Sequence, residues 1–297
     1  MILVTNLYSA LAQGTLWGIM ALGVYITFRI LDIADLSCDG TFALGGCISA
    51  VFITRGMDPF LTLLIAMAAG MAAGWVTGIL HTKLMIPAIL AGILTMIALY
   101  SVNIRIMSGS NVSLLGQDTA FTKMIGAFGV NQTLATLIVG VLIGAIVIGA
   151  MYWFFGTEIG CVLRATGNNE YMVRALGANT DTSKVLGLVI SNGLIAVSGA
   201  LVAQNQGYSD VKMGTGAIVI GLASIVIGEV IFGKRFNFAY ILFSLVGGSI
   251  VYRMIISLVL YLGLSTDDMK LFTAIIVALA LGIPTLRAKY AQRKARA

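Results

Sequence analysis

Among its 297 residues the chain has one histidine, three cysteines and three prolines, and only 10% of its residues are charged. A lone histidine, His81, excludes a Ser-His-Asp or Cys-His set and leaves no second imidazole to share a zinc ion. His81 reads instead as an interfacial residue beside Lys83. Cys38, Cys47 and Cys161 are odd in number and lack C-x-x-C spacing, so neither a disulfide framework nor a metal site is expected. No proline- or serine-rich linker divides the chain, and the longest polar stretches, 156–184 and 108–132, are too short to bury cores of their own. One domain over residues 1–297 is the expectation.

What fills the chain is apolar. The sequence is 59% hydrophobic with a mean hydropathy of +1.00, the composition of a membrane protein. Apolar runs fall at 7–29, 39–55, 59–80, 88–107, 133–155, 184–206, 214–232, 237–262 and 269–286. The fold class expected is therefore all-α and polytopic, with about nine spans (range eight to ten). The run at 39–55 is short and 115–130 is mildly apolar, so ten segments remain open. The start, MILVTNLYSALAQ, has no basic region and reads as retained.

The net charge is +6, and its distribution orients the chain. A basic tail at 287–297, with Arg287, Lys289, Arg293, Lys294 and Arg296, follows an apolar run and reads as a cytoplasmic anchor, not a nucleic-acid contact. Nine spans then put Arg29, Lys83, Arg164, Arg174, Lys184, Lys234 and Arg235 inside, against Arg55, Lys123 and Lys270 outside. The positive-inside tendency favours this arrangement.

Between the apolar runs lies a polar island, GTEIGCVLRATGNNEYMVRALGANTDTSK, at 156–184. Asn168 and Asn169 can cap a short helix, Glu170 sits in its first turn, Arg174 is spaced to pair with Glu170, and Gly177 offers a left-handed stop. Tyr171, Met172, Ala175 and Leu176 share one side, and Asn179-Thr180-Asp181 reads as the next helix start. Two readings fit: a docking surface, or a cytoplasmic loop whose apolar side rests on lipid.

Polar residues inside apolar runs must be paired or face water. Ser37, Asp39, Thr41, Thr95, Asn103, Ser191 and Asn192 are candidates for a translocation pathway, and equally for hydrogen bonds between helices. Asp32 and Asp35 lie in an acidic break between helices that could line a pathway, but they read rather as a solvated turn. Arg105 and Arg253 lie toward the outer ends of their runs, where a substrate carboxylate, an aspartate such as Asp118, Asp267 or Asp268, or the interface can take the charge. Gly228 to Arg235 has the glycine and lysine spacing of a phosphate-binding loop but lacks the final Ser or Thr. It ends a membrane run, so it is rejected, and Glu229 there is placed to pair with Lys234 or Arg235.

Three stretches resemble permeases of ABC importers of the branched-chain amino acid and ribose type. Residues 164–200, RATGNNEYMVRALGANTDTSKVLGLVISNGLIAVSGAL, are similar to that family's cytoplasmic coupling loop and following helix. Residues 214–235, GTGAIVIGLASIVIGEVIFGKR, are similar to its glycine-rich segment. RILDIADLSCDGTFALGG, with VYR at 251–253 and DDMKL at 267–271, resembles a less studied branch that accompanies binding proteins for aromatic amino acids. The resemblance implies a bacterial cytoplasmic-membrane subunit that is not itself an enzyme. Its implied partners are cytoplasmic ABC ATPase subunits, an extracytoplasmic solute-binding protein, a second permease copy and membrane lipid, with no nucleic acid. It implies no cofactor on this chain, ATP and Mg being held by the partner, and ATPase-coupling contacts at Arg164, Ala165, Asn168, Glu170, Arg174, Ala175, Leu176 and Gly177. The solute implied is small and polar, an amino acid and possibly an aromatic one. An ion-coupled secondary transporter is the alternative, against which the placement of acidic residues near helix ends counts.

Overall fold

The computed structural model describes residues 2–233 and 237–261, with scattered positions between 271 and 282. The basic tail residues, Lys234, Arg235, Asp267, Asp268, Lys270 and most of the run at 269–286 lie outside the described residues. Helix α1 (Ile2–Tyr25) continues as a π-helical turn, Ile26–Ile30, and α2 (Cys38–Thr54), α3 (Pro59–Thr82) and α4 (Ala88–Met107) follow. Then come strand β1 (Asn111–Ser113), α5 (Ala120–Phe128), α6 (Gln132–Gly156), α7 (Glu158–Asn168) and α8 (Glu170–Ala175). Helix α9 (Thr180–Gln206), β2 (Tyr208–Asp210), α10 (Ala217–Phe232) and α11 (Phe238–Tyr261) complete the described elements.

Local chemistry sets the boundaries. Asp58 accepts from the Phe60 amide and Pro59 occupies the first turn of α3, where its missing N–H costs nothing. Thr119 and Thr122 form a reciprocal capping box at α5, which closes on Gly129 with a positive φ. Six helices are long and apolar enough to cross a membrane, while α2 and α10 are shorter apolar helices. At 1.5 Å rise the latter two span about 24–26 Å, against a hydrocarbon core of about 30 Å.

Helices α1 and α9 are buried through most of their length, and the others pack around them. Small residues make this possible. A Cβ at Gly70 or Gly74 of α3 would strike the backbone of Asn192 or Leu188 in α9, so these helices meet backbone to backbone. Hydroxyls and amides stitch the same interfaces: Ser191 donates to the Gly23 carbonyl at 2.8 Å, and Ser198 to the Leu16 carbonyl at 2.8 Å.

The two ends of the bundle differ. At one end β1 and β2 pair antiparallel, with Val112 opposite Ser209, and Lys123 bonds Asp58. The connection carrying α5 lies there. Nine residues are too few to span, so the mildly apolar 115–130 stretch is an amphipathic cap and not a tenth segment. At the opposite end lie α7, α8 and the end of α1, where Arg29 bonds Glu229 at the end of α10. His81, beside Lys83 at this end, contacts the Ile86 carbonyl at 2.9 Å.

Candidate functional site

The polar island folds as two helices, not one. Thr157 caps α7 by accepting from the Gly160 amide, and Leu163 and Thr166 turn inward to the bundle. The expectation of a single short helix missed α7, because Gly156, Gly160 and Gly167 dilute its pattern; the signal was Thr157 followed by inward positions at 163 and 166. Gly167 lies so close to the Ile30 carbonyl that a Cβ there would collide with it. This contact seats α7 directly on the end of α1.

Asn169 caps α8 through the Met172 amide at 3.1 Å, and Asn168 is the last residue of α7. Glu170 pairs with Arg174 at 2.7 Å and with Lys184 of α9 at 2.7 Å. Arg174 also donates to Thr180 at 2.7 Å and to Asp181 at 3.2 Å. Asn179 caps α9 through the amides of Asp181 and Thr182, and Gly177 has φ +83°. The bond from Lys184, aided by the charge of Arg174, holds Glu170 below the ordinary carboxylate range. A network of this kind fixes α8 more firmly than one exposed pair would.

Val173 alone turns inward from α8. Tyr171 is 84% exposed, Leu176 77% exposed and Met172 48% exposed, so the apolar side presents itself outward beside exposed Ala175. Arg164 behaves differently. It donates to the Phe155 carbonyl at 2.8 Å and its guanidinium lies over Phe238, tying α7 to α6 and α11. With Ala165, Asn168, Tyr25 and Asp32 it lines a cavity of about 750 Å³ between α7 and the end of α1.

The junction before α2 corrects one expectation. Asp32 is exposed with φ +55°, as a turn residue would be, but Asp35 is buried, 3% exposed. Asp35 accepts from the Ser37 amide at 2.9 Å, the Ser37 hydroxyl at 2.6 Å and the Asn192 amide at 2.8 Å. A carboxylate can enter the bundle because three donors replace its water. Asp39 lies one turn on, and its two oxygens accept from the Gly216 and Ile218 amides at 2.8 and 2.9 Å. The carboxylate of α2 thus caps α10.

Asp39 and Asn103 line a cavity of about 400 Å³ together with Met96, Tyr100, Val211 and Thr215. Asn103 donates to the Gly40 carbonyl at 3.3 Å, and its Oδ1 is buried without a hydrogen-bond partner. The other pathway candidates do not line this cavity. Ser37 bonds Asp35 and Asn192, Thr41 bonds the Ser37 carbonyl, Thr95 accepts from Thr77 at 2.9 Å and Ser191 bonds Gly23. Ser37 and Asn192 bond each other across helices, Thr95 and Ser191 bond neighbouring helices, and Thr41 bonds back within its own. Arg105 is exposed, and neither it nor Arg253 pairs with Asp118. Cys38 and Cys47 are buried and Cys161 exposed, all as free thiols, and no group suited to a metal ion occurs among the described residues.

Stacked apolar helices, two short helices meeting inside the bundle and a helical pair at one end define an all-α, multi-pass membrane protein. The chain belongs to the family described as branched-chain amino acid transport system, permease component, whose model matches residues 6–281. It is similar to the tyrosine transport system permease protein of Clostridioides difficile, 41% identical over 92% of this chain and 89% of that one. It is 26% identical to the ribose import permease protein RbsC of Escherichia coli, over 90% of this chain and 87% of that one. Among solved structures, PsaBC from Streptococcus pneumoniae in complex with Fab matches with a TM-score of 0.50 and 15% identity, covering 93% of this chain and 89% of that chain, a likeness of fold. The chain is therefore a permease of the binding-protein-dependent ABC importer class in the bacterial plasma membrane, not an enzyme. That class works with ATPase and solute-binding partners, and the ion-coupled alternative falls away.

Proposed function

We propose that α7 and α8 form the coupling element that docks on a cytoplasmic ABC ATPase, and that the chain imports an amino acid, an aromatic one by preference. The observation that carries the coupling role is the outward apolar side of α8, Tyr171, Met172 and Leu176, braced by the Glu170 network. A side of this kind gains by burial in a partner's groove, and its bracing lets force pass to α9 without the helix yielding. Gly167 against Ile30 and Arg164 against Phe155 give further routes into α1 and α6. Arg164 on this reading anchors the element, while Ala165, Asn168, Ala175 and Gly177 shape its surface. ATP and Mg belong to the ATPase, and two copies of this chain form the permease. The amino acid assignment is supported by the similarity to the tyrosine transport permease, which exceeds that to the ribose permease.

The test is co-purification of the permease with its ATPase. Leu176→Asp places a charge at the centre of the docking side and is expected to abolish the complex while the folded permease survives. Glu170→Arg, which breaks the bracing network, is expected to weaken it. An undiminished complex in Leu176→Asp would sink the coupling assignment. Uptake of labelled tyrosine by the assembled importer tests the solute.

A further inference from the structure

Arg253 of α11 is an arginine whose surroundings the fold and the coupling role leave unexplained. It stands eight residues before Tyr261, about 12 Å inside the strand end of α11 at helical rise, within the apolar length of the bundle. A cation at that depth is retained only where something answers its charge. No ion pair to Arg253 is formed by any described residue, and its Nε is buried without a hydrogen-bond acceptor. Its guanidinium carbon lies 4.2 Å from the centroid of the Trp17 ring. That contact engages the face of the cation and supplies no hydrogen-bond acceptor to its edge.

Beside it lies a cavity of about 360 Å³, within the range of about 300–1,000 Å³ that small-molecule sites occupy. Asn6, Ser9 and Gln13 of α1 line it from one side, and Ser257 and Tyr261 from the other. Their spacings, three and four residues on α1 and four on α11, set polar stripes along both helices. Polar stripes on membrane helices face water or a polar ligand, not hydrocarbon.

We infer that the α1–α11 groove is a carboxylate-binding station for a small zwitterionic solute, with Arg253 as the anchor and Gln13 and Ser257 as flanking hydrogen-bond partners. The inference rests on the amino acid reading above and deepens it. A planar guanidinium fork matches a carboxylate in two parallel hydrogen bonds, and the flanking amide and hydroxyls provide contacts that a moving solute can exchange. Ala10, Ile256 and Leu260, which line the same cavity, offer an apolar wall for the solute's side chain, and Trp17, buried behind the guanidinium, reports a change at Arg253.

The experiment uses that tryptophan. In full-length permease carrying Trp75→Phe and Trp153→Phe, Trp17 fluorescence is titrated with L-phenylalanine, with phenethylamine, which lacks the carboxylate, and with inorganic phosphate. The permease is held in nanodiscs of zwitterionic lipid, and separately in nanodiscs containing phosphatidylglycerol. The expected result is a saturable change with phenylalanine and none with phenethylamine. Arg253→Gln should weaken the response at least tenfold, Arg253→Lys should retain part of it, and Gln13→Ala should weaken it several-fold. An equal response to phenethylamine, or a phenylalanine response indifferent to Arg253→Gln and Arg253→Lys, overturns the inference. So does a Trp17 change produced by phosphatidylglycerol or phosphate alone, which would make the groove a site for phosphate-bearing ligands. Failure of the amino acid reading shows separately, as absence of ATP-driven amino acid uptake by the unaltered importer, and leaves this comparison readable.

Discussion

At Glu170 two cations share one carboxylate, and the consequence is a sign that can be measured. Its folded pKa is depressed, so the bond to Lys184 and the pairing with Arg174 contribute stability above the unfolded carboxylate value of about 4.3 and lose it as pH falls through the lower folded value. Hydrogen exchange at the α8–α9 junction should therefore be flat around neutral pH and quicken only in acid. Glu170→Gln should already be quickened at neutral pH. Asn192 makes the companion case inside the bundle, where its amide donates to the buried Asp35 carboxylate. Asn192→Ala strips one donor from a buried charge and should cost about 2–3 kcal/mol in thermal unfolding in detergent. Asn192→Asp, which sets a second carboxylate against the first, should cost more.

Among the elements, α7 is the one whose seat is most exacting. Gly167→Val pushes a side chain into the Ile30 carbonyl and should cost about 1–3 kcal/mol, whereas Gly109→Val, with nothing near it, should leave the unfolding midpoint unchanged. If both variants unfold alike, the close approach of α7 to α1 carries no weight. The sequence disclosed elements unevenly. Long apolar runs announced α1, α3, α4, α6, α9 and α11, since a membrane helix must be apolar along its whole length. Asn179 disclosed the start of α9 through cap chemistry that needs only neighbouring residues. Helix α7 stayed hidden because its inward residues are spaced among glycines, and the purpose of Gly167, contact with the distant Ile30 carbonyl, is tertiary. Asp35 was read as solvated for the same reason: its partner Asn192 lies 157 positions away, and no local pattern joins them. The cavity beside Asp39 was likewise invisible, since α2, α4 and the 211–216 connection meet only in the fold.

For the whole molecule, the pairing of β1 with β2 at one end and the α7–α8 pair at the other fix two faces that the membrane must separate. The basic-residue distribution predicts that the α7–α8 end faces the inside of the cell. Leu115, 86% exposed at the strand end, and Tyr171 at the other end are suitable reporters. With Cys161→Ser as background, a membrane-impermeant maleimide added to intact cells should label Leu115→Cys and spare Tyr171→Cys, and lysis should make both reactive. The reverse labelling would invert the topology and remove α8 from reach of a cytoplasmic ATPase. Asp39 has a consequence at this scale too. Each helix start carries roughly half a positive charge, and the starts of α2 and α10 converge on that one carboxylate. The three charges cancel, so this one carboxylate is a hinge pin between α2, which is seated on α9, and α10, which is seated on α11: any movement of one pair against the other must carry the pin along or leave it bare.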